Sequence, residues 1–355
     1  MKKLLVLLLS TSLLAGCTNG STPELTETPT GATPTPAENG DANQGSDTIK
    51  VGANIYSGTD NFMNGVVKPA LEAATDAAGA EINLVDSNGD QGTLNNQVDG
   101  FITQGVDVLA INLVDPAAAG EIIGKAKAAD IPLILFNKEA TDGSMGDYDK
   151  VWYVGTDSKE SGVIQGKMMA ADIQANPEWD KNGDGKIQYV MLKGEAGHPD
   201  AEARTEWSVK AIQEAGIEVE ELAMQPSATW STADGEANLS GWLTQYGDEI
   251  ELVISNNDGM AFGAAAAMQK ADVQIPLYGV DALADALTMI EEGTMQGTVL
   301  NDGVNQAKAT IELAINAAKG NKVTEGTDWV VENETTKAVR VPYVGVTKAN
   351  VADFK

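Results

Sequence analysis

From Ile49 onward the apolar residues come in short β-rich runs separated by longer stretches with helical spacing. The first runs are IKVGANIY (49–56), EINLVD (81–86), VLAIN (108–112) and PLILFN (132–137). A second series follows: VWYVG (151–155), IQYVML (187–192), ELVISN (251–256), PLYGVD (276–281) and GTVLN (297–301). Between them Asn61 to Ala78, Ala117 to Ala129 and Ala201 to Ala215 are alanine-rich and amphipathic, as helices that return the chain for parallel pairing should be. The alternation, repeated in two series, predicts an α/β protein of two similar lobes, each a parallel-rich sheet flanked by helices. The short region 139–150 is expected to cross between them.

Asp60, Asn112, Asn257, Asp281 and Asn301 each stand at or just after the carboxyl end of one of these runs. Asn and Asp there also start turns and cap helices. Five together mark the edge at which open α/β sheets bind ligands. Carboxylates and amides suit a neutral polyol, because each hydroxyl both donates and accepts a hydrogen bond. GHPDAEAR (197–204) adds the chain's one histidine. If Pro199 opens a helix there, Asp200 and Arg204 stand four apart on one face, with His198 at the helix mouth.

Composition narrows the partners. The 355 residues carry a formal charge of −29, and removing a leader that holds Lys2 and Lys3 leaves 21 basic and 52 acidic residues, or −31. A nucleic-acid partner is therefore not expected. The single cysteine, Cys17, excludes an internal disulfide and any thiolate cluster. It follows Lys2, Lys3 and an apolar run from Leu4 to Leu14, a signal peptide rather than a membrane span. Leu14-Ala15-Gly16-Cys17 resembles the bacterial lipobox, whose cysteine is acylated and becomes the first mature residue. The expectation is a signal peptide over 1–16 and a lipidated tether over 17–48, rich in Thr, Pro, Gly, Asn and acids. A flexible chain of roughly 30 residues reaches about 30 Å, so membrane contact is through the lipid.

DKNGDGKIQ (180–188) reads as the first nine positions of an EF-hand loop. Oxygen ligands fall at Asp180, Asn182, Asp184 and Gln188, with the Lys186 carbonyl between them and Gly185 at the turn. Position 12 is Met191, so the carboxylate that closes the calcium shell must come from elsewhere.

Beyond the tether the chain closely resembles the bacterial galactose/glucose-binding proteins, the soluble receptors of ABC sugar importers. The resemblance rests on DNFM (60–63), AINLVDPAAAG (110–120), YVGTDSKESG (153–162), Lys193-Gly194 with GHPDAEAR, NND (256–258), GVDAL (279–283), VLND (299–302) and VRVPYVGV (339–346). It implies the type I periplasmic binding protein fold, with three chain crossings as a hinge near 139–150, 301–302 and 338–342. The lobes would comprise 49–140 with 302–338 and 141–301 with 339–355. It further implies that Asp60, Asn112, His198, Asp200, Arg204, Asn257, Asp281 and Asn301 hydrogen-bond a pyranose, galactose or glucose, with Phe62 and Trp230 on its two faces. Glu251 would complete a structural Ca²⁺ site. A monomer that delivers sugar to a membrane permease is expected; docking to a chemoreceptor is not readable in these residues.

Two other classes compete. A glycoside hydrolase could use two of Asp60, Asp200 and Asp281 as acid and nucleophile, but nothing in the sequence marks either carboxyl for a raised pKa, and Arg204 beside Asp200 favours a permanent acceptor. A sugar-responsive repressor of the same two-lobed build needs a basic DNA-binding segment where this chain has its acidic tether. The expected role is therefore binding, without catalysis.

Overall fold

The computed structural model describes residues 48–355. The signal peptide, Cys17 and all but the last residue of the tether lie outside the described residues. No helix among the described residues is long and apolar enough to cross a membrane.

The first lobe is built on β1 (Lys50–Ile55), β2 (Glu81–Asp86), β3 (Val108–Ile111), β4 (Leu133–Phe136) and β5 (Val151–Gly155), with helices α1 (Lys68–Ala77), α2 (Gln91–Gln104) and α3 (Ala119–Ala129). The second holds α4 (Ser158–Ala175), β6 (Lys186–Lys193), α5 (Pro199–Glu214), β7 (Glu218–Pro226), α6 (Thr232–Tyr246), β8 (Leu252–Ser255), α7 (Asp258–Ala271), β9 (Leu277–Tyr278), α8 (Ala284–Glu292) and β10 (Gly297–Leu300). The chain then returns to the first lobe as α9 (Gly303–Ala318) and β11 (Ala338–Arg340), and ends in the second with β12 (Val344–Thr347). The sheet orders are β11-β5-β4-β3-β1-β2 and β12-β10-β9-β8-β6-β7. All pairings are parallel except β10 with β12. Each β3 and β4 residue is buried, as strands covered on both faces must be.

Two expected boundaries move. VWYVG, placed above in the second series, is β5 of the first sheet and pairs with β4 and β11. The chain therefore leaves the first lobe at Thr156–Asp157, not within 139–150. That segment joins β4 to β5 through only one short helical turn, Ser144–Gly146, so it lacked the helical pattern that marks an ordinary crossover. The last crossing is Val341–Tyr343, because β11 still belongs to the first sheet; residues 339–340 thus sit in the first lobe. The crossing at 301–302 stands where expected.

Local chemistry explains where the site helices begin. His198 caps α5, its Nδ1 accepting from the Asp200 amide at 3.1 Å, and Pro199 is the first helical residue. Asn257 caps α7 through Oδ1 and the Met260 amide, 2.9 Å.

Candidate functional site

The carboxyl ends of both sheets face one cavity with about 280 Å³ of space between and beside its atoms. It is lined by Asp60, Phe62 and Asn137 from the first lobe, Asn301 from the second crossing, and His198, Asp200, Arg204, Trp230, Asn257 and Asp281 from the second lobe. A larger hollow of about 1800 Å³ lies beside Trp179 and Glu251, but no set of strand-end polar groups converges on it. Chemistry, not size, places the site.

Nine of the ten expected ligand residues line the cavity. The exception is Asn112, which is fully buried behind it. Its Oδ1 accepts from the Tyr56 amide at 2.9 Å, and its Nδ2 donates to the Phe136 carbonyl at 3.1 Å and the Asn137 Oδ1 at 3.3 Å. Both amide hydrogens are thus committed to protein. Asn137, one residue past β4, takes the lining position with φ of 60°, a left-handed conformation that asparagine tolerates. PLILFN ends in that residue, so the strand-end rule could have found it.

The lining side chains are anchored from behind. Asp60 accepts from the Phe62 and Met63 amides through Oδ1 and from the Tyr56 hydroxyl through Oδ2 at 2.5 Å. Burial raises the Asp60 carboxyl despite these bonds. Asp200 accepts from Ser158 and pairs with Arg204 at 3.3 Å, the i,i+4 contact expected from GHPDAEAR. Burial alone would raise Asp200, yet Arg204, with the Ser158 hydrogen bond and Lys138, outweighs it and holds the carboxyl below its ordinary value. Asp281 accepts from Asn301 at 3.2 Å, and Asn301 in turn from Gln306 at 2.6 Å. Burial raises Asp281 well above an ordinary carboxyl against the pull of Arg204. Nothing in the sequence marks a carboxyl for a raised pKa, yet Asp60 and Asp281 are raised, because the cause, enclosure by both lobes, is not written in local sequence.

His198 is neutral. Burial, with Lys138 and Arg204 nearby, pushes its pKa down to about 3. Because Nδ1 accepts the cap bond, the ring carries its proton on Nε2 and can donate it. Phe62 and Trp230, both on the cavity wall, are 4% and 3% exposed, so their rings are held away from bulk water. Trp230 has φ of 54°, unusual for an aromatic residue, and its carbonyl is held by Asn257 Nδ2 at 3.0 Å. The lobes are also tied directly: Lys138, fully buried, donates to Glu195 across the cleft at 2.8 Å and to the Val114 carbonyl at 3.1 Å. An arrangement of acceptors, donors and two aromatic plates around a closed space can grip a small molecule with hydroxyls on its rim and C–H on its faces.

The 180–188 loop folds on itself beside Glu251. Asp180 accepts from the Gly183, Asp184 and Gly185 amides, and Asp184 Oδ2 lies within 3.3 Å of Asn182 Nδ2 and 2.9 Å of Gln188 Nε2. Glu251, 1% exposed, takes the Lys181 and Gln188 amides at 2.5 and 2.9 Å, and no Lys or Arg among the described residues pairs with it. Among the described residues no three His, Cys, Asp or Glu side chains gather closely enough to hold a metal alone.

Comparison with known proteins agrees with this architecture. Residues 51–322 match the periplasmic binding protein domain. The chain is 46% identical over 306 residues, 86% of its length and 91% of the relative's, to the D-galactose/methyl-galactoside binding periplasmic protein of Haemophilus influenzae. It is 28% identical over 260 residues, 72% of the chain and 81% of the relative, to the ribose import binding protein of Salmonella typhimurium. A solved ABC transporter solute binding protein from Bacillus halodurans with bound myo-inositol superposes with a TM-score of 0.72 at 26% identity, over 86% of this chain and 97% of that one. With its two lobes, three crossings and strand-end cavity, the chain belongs to the periplasmic binding protein family and has the type I fold.

Proposed function

We propose that the protein captures one hexopyranose, D-galactose or D-glucose, between its lobes and delivers it to an ABC transporter permease, without turning it over. The observation that carries this reading is the cavity itself. Carboxylates, amides, a neutral imidazole and a guanidinium from both lobes ring a space bounded by Phe62 and Trp230. All but Asn137 of its lining residues are buried, an enclosure that suits one small sugar ring better than a longer chain. The Haemophilus relative's name supports galactose. Because ligand bonds come from both lobes, sugar favours the closed form, and the closed surface is what a permease would read.

Calorimetric titration with galactose, glucose, xylose and ribose tests the reading. One hexose should bind per protein, and Trp230→Ala or Asp281→Ala should weaken it at least tenfold, since each removes a contact from a desolvated cleft. Heats independent of the sugar, or unchanged affinity in both variants, would refute it. Galactosides and glucosides should survive incubation with the protein uncleaved; hydrolysis would move the reading to the paired carboxylates.

The same proposal places the protein outside the cytoplasm, held to the membrane by acylated Cys17, as a monomer. Mass spectrometry of the mature N-terminus and loss of processing in Cys17→Ser check the anchor; an unmodified terminus elsewhere refutes it. A Ca²⁺ ion is proposed at Asp180, Asn182, Asp184, the Lys186 carbonyl, Gln188 and Glu251. The donors are all hard oxygens, the class that calcium takes. The buried Glu251 charge has no cationic partner among the described residues. Bound there, the ion would supply stability and no chemistry.

A further inference from the structure

Both aromatic plates of the cavity rest on glycines. A Cβ built on Gly194, at the carboxyl end of β6, would lie 2.0 Å from Trp230 Cη2 and 2.3 Å from Cζ2 and Cζ3. A Cβ on Gly303, the first residue of α9, would lie 2.9 Å from both Cε2 and Cζ of Phe62 and 3.0 Å from Val66 Cγ1. Real Cβ atoms do not come so close. Neither glycine has a left-handed φ, so the backbone itself would accept alanine at either place. Space alone forbids it.

The rings cannot simply retreat. Trp230 is held by Asn257 at its carbonyl, and its ring has the His198 ring against it edge-on at 5.1 Å. Phe62 follows Asp60, whose carboxylate accepts its amide at 2.8 Å. The open space that both rings border is the cavity. We propose that Gly194 and Gly303 are positioning residues that set the width of the ligand slot, each lacking a side chain where one plate is seated. A methyl group at either position drives the plate into the slot and narrows it. The proposal rests on the reading of Phe62 and Trp230 as the faces between which a sugar ring lies.

The overlaps are graded, and so are the consequences. Gly194→Ala should weaken hexose binding at least tenfold and Gly303→Ala by less, because its overlap is shallower. At the first position of a helix alanine is otherwise harmless, so Gly303→Ala reports the crowding against Phe62 and Val66 rather than a backbone effect.

A double-variant series tests this. Phenylalanine at 230 is too short to place atoms where the three indole carbons sit, so Gly194→Ala should cost less than twofold in a Trp230→Phe background. A second readout needs no sugar. The protein has six tryptophans; labelled with 5-fluorotryptophan, it gives fluorine resonances among which that of Trp230 is assigned by its loss in Trp230→Phe. Gly194→Ala should move that resonance. An unmoved resonance, an affinity within twofold of wild type, or an equal cost in both backgrounds overturns the proposal. If Gly194→Ala does not fold, recovery of folding in Gly194→Ala/Trp230→Phe supports it, and failure of both overturns it. A wild-type protein that binds no monosaccharide refutes the sugar reading, while the resonance alone still decides whether Gly194 seats the indole.

Discussion

Arg204 donates from Nη2 to the hydroxyl of Tyr343 at 3.1 Å, so a side chain of the ligand cavity is bonded to the last chain crossing between the lobes. The same hydroxyl accepts from Thr156 Oγ1, in the first crossing, at 2.9 Å. All three residues are buried. Two of the three hinge strands therefore meet at one oxygen that also orients the guanidinium beside Asp200.

Tyr343→Phe should report this connection. The ring and its packing stay, but Thr156 and one Arg204 N–H lose their acceptor in a dry place. Leaving such a donor unpaired costs about 1–2 kcal/mol, so sugar affinity should fall roughly 5- to 30-fold with little change in secondary structure. Calorimetry on the variant checks it; wild-type affinity would mean that Arg204 is oriented by Asp200, Ser161 and the Asn256 carbonyl without Tyr343.

The strand-end set was legible because parallel α/β sheets offer their carboxyl edges to ligands whatever the sequence between. Asp60, Asn257, Asp281 and Asn301 all satisfy that rule. Asn112 and Asn137 both end buried strands, and only the packing of Asn112 against Tyr56 and Phe136 shows which one faces the cavity. The β5 assignment failed for a different reason. Parallel neighbours usually need a helix between them, and 137–150 has only the short turn at Ser144–Gly146, so a loop within one lobe read as a passage between two. Lys138 carried no signal at all: a buried lysine is legible only through Glu195, 57 residues away.

That ion pair predicts an asymmetry. Burial lowers the Lys138 pKa and Glu195 opposes the shift, while the Glu195 side chain keeps 32% exposure. Glu195→Gln leaves a buried ammonium with a neutral partner. Lys138→Met leaves a carboxylate that water can reach. Removing one partner of a fully buried pair costs about 3–5 kcal/mol, and partial exposure of Glu195 reduces this. Glu195→Gln should therefore weaken sugar binding more than Lys138→Met does, and small-angle scattering with sugar should show the larger loss of the compact form in Glu195→Gln. Equal effects would show that the pair does not hold the lobes together.

The neutral His198 predicts how binding depends on pH. In the closed cavity its pKa is about 3, and a hydrated imidazole titrates near 6.5. The closed state thus binds fewer protons between these values. Its favourable contribution is complete above about pH 6.5 and is lost as pH falls below it, by up to about tenfold in affinity per pH unit. The raised Asp60 and Asp281 act with the opposite sign, but they do so in His198→Gln as well and cancel in the ratio. Wild-type affinity divided by that of His198→Gln should therefore decline from pH 6.5 toward pH 4. A flat ratio in calorimetric titrations would mean that protonated His198 is accommodated in the closed site.

Calcium removal separates stability from binding. The 180–188 loop and Glu251 lie at the amino-terminal ends of β6 and β8, and the sugar cavity lies at the carboxyl ends of the same strands. An ion that ties the loop to Glu251 therefore stabilises the second lobe from the far edge of its sheet. A ligand that binds only the folded state contributes RT ln(1 + [L]/Kd), about 2.7 kcal/mol at 100 times Kd, or a melting shift of a few degrees for a chain of this size. EDTA should lower the melting temperature by that amount and leave hexose affinity at low temperature nearly unchanged. Glu251→Gln costs stability by itself, because an amide cannot accept from both the Lys181 and Gln188 backbone as the carboxylate does. The sharper expectation is that its melting curve no longer responds to EDTA or added Ca²⁺. A wild-type curve unmoved by chelation, with no metal in the purified protein, would show that the buried Glu251 is held by its two amides alone.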